Sequence, residues 1–179
     1  GVGLPNAVVS TGGKYIYNDD QQTPNTQLAT LDYGDKQIVF EVRGFPSNAE
    51  GDIRRGGTDV VGNEFYGEKG VLMLDDSGFK ILLGHNGQPG ESMQAVKGDD
   101  ATVAHFANFV KAIKSRKPED LAGPVHEGVD SMALVHLANT SYRLGRKLKF
   151  DPKTQNFVAD AEANKMKTRN PYRAPYIVA

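Results

Sequence analysis

The hydrophobic pattern of this chain changes period once, and that change constrains its fold more than any other feature. In "KQIVFEVRG", Lys36 to Gly44, the residues Ile38, Phe40 and Val42 alternate with Val39, Glu41 and Arg43. This is the two-residue repeat of a strand. "AVVST" at Ala7–Thr11 and "TQLATLDY" at Thr26–Tyr33 precede it, and Gly34-Asp35 marks a short hairpin. Two more strand signals follow: "NEFYGEKGVLML", turning near Glu68-Lys69-Gly70, and "FKILLG" at Phe79–Gly84. The glycine-rich, polar residues 85–100 read as a surface excursion. From residue 102 the spacing becomes helical, with Val103, Phe106, Val110 and Ile113 on one stripe and Phe109 widening it. A helix over 102–116 is predicted, capped by Asp99 or Asp100, favoured at its end by Lys114 and Arg116, and closed by Pro118. A second is predicted over 126–144, with Val129, Met132, Ala133, His136 and Leu137 inward and Gly145 as its left-handed cap. "KLKFD" adds a strand, "DAEANKM" a small helix, and "TRNPYRAPYIVA" an extended tail. Strands come first and helices after, which is the α+β order rather than an alternating βαβ one. Phe106, Phe109 and Ile113 are expected to pack beneath a sheet.

A chain of 179 residues suits one domain, spanning 1–179, with a core that needs no covalent staples. The formal net charge of −1 argues against a nucleic-acid partner, because phosphate binding requires a basic surface. The absence of cysteine removes disulfides, thiolate nucleophiles and thiolate metal sites together. No apolar run approaches the roughly 20 residues that cross a bilayer, so no membrane partner is expected. The opening "GVGLPNAVVST" has no initiator methionine, basic n-region or apolar h-region. It reads as a cut inside a longer protein, although a mature processed chain has the same look. The compartment stays open between cytoplasm and export to a bacterial periplasm.

Several chemistries lack their residues. No G-x-G-x-x-G turn is present to hold a dinucleotide pyrophosphate. "GNEFYGEKG" has Glu68 where a phosphate-binding loop needs lysine. His85, His105, His126 and His136 never adopt the spacing of a zinc-binding helix. His105 and His136, on apolar helix faces, read as hydrogen-bonded core residues. Asp19-Asp20 reads as part of a solvated loop, not as a cation site. No metal site and no catalytic residue are assigned. The stretch "EGDIRRGGTDV" is the one with binding chemistry. Arg54 and Arg55 suit a carboxylate or hydroxyl-rich ligand, and Thr58 and Asp59 lie beside them. Asp59 accepts hydrogen bonds from sugar hydroxyls in this reading. The same residues also suit a solvated surface loop, and both readings stand.

Taken together, "STGGKYIYNDDQQTPNTQ", "FYGEKGVLML", "HFANFVKAIKSRKPEDL", "HLANTSYRLGRKLKFDPKTQNF" and "DAEANKM…YRAPY" resemble the C-terminal half of Gfo/Idh/MocA-family oxidoreductases of the bacterial type. No single motif is catalytic, but their order along nearly the whole chain is specific. The resemblance implies a large open, mostly antiparallel sheet with helices on one face, the dihydrodipicolinate-reductase-like arrangement. It implies an NAD or NADP cofactor for the intact protein, bound by an N-terminal Rossmann domain, and none in this chain. The family's E-K-P lysine and Asp-x-x-x-His pair have no counterpart here, since Lys117-Pro118 follows Arg116. The resemblance also brings Arg54, Arg55, Thr58 and Asp59 toward a sugar or polyol substrate. Some relatives use the same redox cycle to cleave glycosidic bonds. In this pattern Gly12–Gln27 is the end of a hairpin. The sheet's free face is a homo-oligomer contact, for which Leu31 and Val39 are placed opposite Phe40. The competing reading is a stand-alone binding or interaction module without catalytic activity.

Overall fold

The computed structural model describes residues 3–15, 19–43, 61–96, 101–168 and 174–175. It is α+β, with two antiparallel sheets of five and four strands and three helices among the described residues. This is the α+β class expected from the sequence, its antiparallel strands lying in two hydrogen-bonded sheets among the described residues. The chain separates into two compact units. One comprises Gly1–Phe45 with Gly123–Ala179, the other Pro46–Ala122.

The first unit is built on strands β1 (Ala7–Gly13), β2 (Thr26–Asp32), β3 (Gln37–Arg43), β8 (Leu148–Asp151) and β9 (Asn156–Phe157). Their order is β3-β2-β1-β8-β9, so the C-terminal part of the chain returns to lie beside its first strand. Helix α2 (Val125–Leu144) covers β1 and β2, and the short helix α3 (Ala161–Lys165) packs against β9. Val8, Leu31, Leu137, Leu148, Phe150, Phe157 and Ala163 form the core between sheet and helices. Phe150 and Phe157 meet edge to face with centroids 5.4 Å apart.

Register decides which side chains share a face. Asp32 pairs with Gln37 across a tight turn closed by the Tyr33 amide donating to the Lys36 carbonyl at 3.0 Å. Leu31 therefore lies opposite Ile38, and Ala29 opposite Phe40. Ile38, Phe40 and Val42 share a face, as their alternation predicts, and Leu31 belongs to that face. The placement of Leu31 opposite Phe40 is corrected: a shift of one residue exchanges the faces of a strand, and the turn fixes that shift. Val9, Leu28 and Val39 line the other face and are exposed.

Helix α2 follows its predicted span within a residue and ends at Gly145, whose φ of 65° is the left-handed cap conformation. Its inward face matches the expected one at Leu137 and differs from it at Val129, Met132 and His136. Leu137, Ala138, Thr140 and Ser141 are buried, while Val129, Met132 and His136 are exposed. The helix meets the sheet through its C-terminal half, where Ser141 accepts a hydrogen bond from the Ser10 amide at 3.0 Å and donates to the Arg146 carbonyl at 2.8 Å.

The second unit holds β4 (Gly62–Gly67), β5 (Gly70–Asp75), β6 (Gly78–Leu83) and β7 (Gln88–Gln94) in a simple meander. Strand β7 corrects the reading of residues 85–100 as a surface excursion. It is an edge strand, where Pro89 is tolerated and side chains stay solvated, so it carries no apolar alternation. Helix α1 (Ala101–Ser115) forms at its predicted place, but no residue of it is buried. Phe106 and Phe109 are 63% and 53% exposed, against the expectation that they pack beneath a sheet. A helical period fixes which side chains share a stripe and does not supply a surface to cover it. The partner of α1 within its unit is the turn Pro118–Asp120, reached through Asn108, whose amide donates to the Asp120 carbonyl at 2.7 Å and accepts from the Ala122 amide at 2.9 Å.

Candidate functional site

Arg54, Arg55, Thr58 and Asp59 lie outside the described residues. In the chain their loop falls between Arg43, the last residue of β3, and Gly62, the first of β4. On β4, the strand that follows the loop, the Tyr66 hydroxyl donates to the Glu64 carboxylate, and Tyr66 is 72% exposed. Glu64 sits in one cross-strand row with Met73, Lys80 and Ser92. An open aromatic face beside a carboxylate is chemistry suited to hydroxyl-rich ligands, because the ring takes the apolar C–H face and the oxygens accept from hydroxyls. Sequence reasoning read this segment only as a hairpin. The signal available was the two-residue spacing of Glu64 and Tyr66, which puts both on one face of the strand.

The opposite face of the same sheet is apolar. Phe65, Leu74, Leu83 and Met93 are exposed on it, with Leu72, Phe79 and Ile81 half-buried among them. No residue of the second unit's strands is fully buried among the described residues.

The hairpin expected between β1 and β2 is present, with Gly13 paired to Thr26. Its base is fastened by Asn25, which accepts from the Tyr15 amide at 3.0 Å and donates to the Tyr15 carbonyl at 2.8 Å. Gly12 sits where a β-carbon would lie 2.2 Å from the Thr26 carbonyl oxygen, so the two strands close only around glycine. Asp19 is ion-paired to Lys14 at 2.8 Å, and the Lys14 hydrogen bond holds its carboxyl below the usual range. That carboxylate is already matched to a cation from its own loop.

The histidines do not converge. His105 and His136 are exposed, which corrects their reading as core residues. The His105 and Phe106 rings meet edge to face, with centroids 5.9 Å apart. His126 lies 3.7 Å from Glu127. Among the described residues no group of three or more His, Cys, Asp or Glu is placed to hold a metal ion. At the far end of α2, Arg146 bonds both oxygens of Asp160 at 3.0 Å and Glu162 at 2.8 Å. Asp160 in turn accepts from the Ala163 amide at 3.0 Å, so the cluster locks β8 to the start of α3.

Residues 57–178 match the family described as the oxidoreductase family, C-terminal alpha/beta domain, of Gfo/Idh/MocA type. The chain belongs to the Gfo/Idh/MocA oxidoreductase family. It corresponds to the C-terminal α/β domain of that family, as the resemblance implies. Among solved structures it is similar in fold to an oxidoreductase-class protein of Klebsiella pneumoniae, at 14% identity and a TM-score of 0.54, covering 92% of this chain and 48% of the other. It is similar also to YvaA of Bacillus subtilis, at 15% identity and a TM-score of 0.53, covering 83% and 47%. A third likeness is to YPO2259 of Yersinia pestis, at 15% identity and a TM-score of 0.50, covering 83% and 45%. The chain therefore spans about half the length of the solved structures that it matches. Among curated proteins, none matches the sequence significantly.

Among the described residues, β1 to β3, β4 to β7 and β8 to β9 each run on as antiparallel neighbours, unlike the strand, glycine-rich turn and helix that hold a dinucleotide.

Proposed function

We propose that this chain is the substrate-facing and assembly domain of an NAD(P)-dependent oxidoreductase that acts on a sugar or related polyol. The observation that carries the proposal is the family match over residues 57–178 by a chain half as long as its solved relatives. In this reading the cofactor is held by a part of the intact protein outside this chain. Arg54, Arg55, Thr58 and Asp59 contact the substrate, and Glu64 and Tyr66 extend that polar surface along β4. The test is a dehydrogenase assay of the intact gene product across sugars and polyols with NAD and NADP. Turnover whose KM rises in Arg54→Ala and Asp59→Asn, with kcat retained, supports the proposal. Turnover unaffected by both substitutions rejects the loop, and absence of any NAD(P)-linked activity rejects the function.

The assembly role rests on the bare sheet faces. Val9, Leu28 and Val39 are 37%, 47% and 61% exposed on the side of the five-stranded sheet that α2 leaves uncovered. Contiguous apolar patches beyond a few hundred Å² are uncommon on soluble monomers, and closed two-fold pairing is the commonest cover. A dimer or tetramer in sedimentation, lost on Val39→Asp, supports the contact. A monomer of 19.4 kDa at tens of micromolar rejects it for this chain.

A further inference from the structure

The connection between β6 and β7 carries Asn86-Gly87, and Asn86 is the one asparagine in the sequence that precedes a glycine. Residues 84–87 form an exposed turn. Gly84 and Gly87 take φ of 62° and 63°, and a β-carbon at either would meet nothing within 4 Å. The Gly87 amide donates to the Gly84 carbonyl at 3.3 Å, the weak end of the hydrogen-bond range. The Asn86 side chain makes no hydrogen bond among the described residues.

Asn25, Asn108 and Asn164 are held. Asn25 is fixed at both amide atoms by the Tyr15 backbone. Asn108 is fixed by Asp120 and Ala122. Asn164 accepts from the Phe157 amide at 2.9 Å and donates to its carbonyl at 2.8 Å. An amide carbon held this way cannot turn toward the next backbone nitrogen.

We propose that Asn86 is a site of spontaneous deamidation that converts the β6–β7 turn to an aspartyl or isoaspartyl linkage. The Gly87 backbone nitrogen loses its proton to solvent base and attacks Cγ of Asn86. A Cγ–N bond forms as the Cγ–Nδ2 bond breaks, and the side-chain nitrogen takes up a proton and leaves as ammonia. Water then opens the cyclic imide at either carbonyl, giving aspartate or isoaspartate with no oxidant or cofactor. Glycine permits the step because no β-carbon obstructs the approach and its backbone rotates freely. The isoaspartyl form puts a methylene into the main chain and a carboxylate where a neutral amide stood. It does so in the connection that sets Leu83 opposite Gln88 on an edge strand, whose pairing with β6 already shifts register between Lys80 and Leu82. The modified turn is a substrate for an enzyme that methylates isoaspartyl carboxylates.

The full chain is incubated in mildly alkaline buffer, natively and in urea. Peptides spanning 81–97 are then mapped by mass spectrometry, and isoaspartate is counted with a purified isoaspartyl methyltransferase and labelled methyl donor. Isoaspartate is expected to build up at position 86 in the folded chain, within a few-fold of the unfolded rate, while Asn25, Asn108 and Asn164 stay intact. Loss of the methyl signal in Asn86→Gln assigns it to this residue. Protection of Asn86 in the folded chain alongside rapid loss in urea would overturn the proposal, as would earlier conversion of Asn25, Asn108 or Asn164.

Discussion

Ser141→Ala is the sharpest probe of how α2 is set on the five-stranded sheet. The side chain is fully buried, and its hydroxyl joins the Ser10 amide of β1 to the Arg146 carbonyl beyond the helix end. Strand β8 pairs with β1 only at Ala7 and Val8, so the Ser10 amide lies past the last rung of that ladder and depends on Ser141. Removing the hydroxyl strips both partners. A buried amide left without an acceptor costs about 1–3 kcal/mol. The Arg146 carbonyl contributes less, because Arg146 is exposed and water can reach it. A net loss of about 2 kcal/mol follows, read as a lower urea midpoint at unchanged slope. Thr140→Ala is the comparison, since that hydroxyl returns only to the His136 carbonyl of its own helix at 2.8 Å. Its loss is to be smaller. A Ser141→Ala chain within about 0.5 kcal/mol of the parent would refute the reasoning, because surface-like substitutions give that much.

Gly12→Ala drives a β-carbon toward the Thr26 carbonyl, and a loss of about 1–3 kcal/mol in chemical denaturation is expected from this overpacking. The Asp160 carboxyl is held below its ordinary range by the Ala163 amide first and by Arg146 second, with partial desolvation opposing them. Its folded pKa is below its unfolded one, so this stabilisation is complete above the ordinary aspartate pKa and is lost as pH falls through the folded value. Asp160→Asn is therefore expected to flatten the acid side of the stability–pH curve, and an unchanged acid limb would contradict that. The isolated chain is expected to bind neither NAD nor NADP, and a calorimetric titration with micromolar affinity for either would reject it.

Much of the fold is legible in the sequence because local rules act at short range. The alternation in β3, the glycine cap of α2 and the Asp32–Gln37 turn each lie within a few residues of what they determine. Strand β7 escaped because an edge strand needs no apolar alternation, and Gln88, Pro89 and Gly90 look like a loop. Beyond Leu137, the buried face of α2 escaped because Thr140 and Ser141 are polar yet satisfied, while the more apolar Val129 and Met132 stay exposed. The core is thus chosen by where β1 and β8 lie, which no helical period encodes. The candidate loop lies outside the described residues. In the sequence that loop stands out by its arginines and glycines, whereas Glu64 and Tyr66 gain interest only from sharing one face of the strand that follows it in the chain.

The proposal that this domain works as one half of an NAD(P)-dependent oxidoreductase has a direct test. The most direct measurement is the sequence of the gene upstream of Gly1. The account predicts a continuous reading frame encoding a Rossmann segment with G-x-G-x-x-G and E-K-P. A start codon immediately before the codon for Gly1, with no such segment in frame, would contradict it and leave a stand-alone binding module.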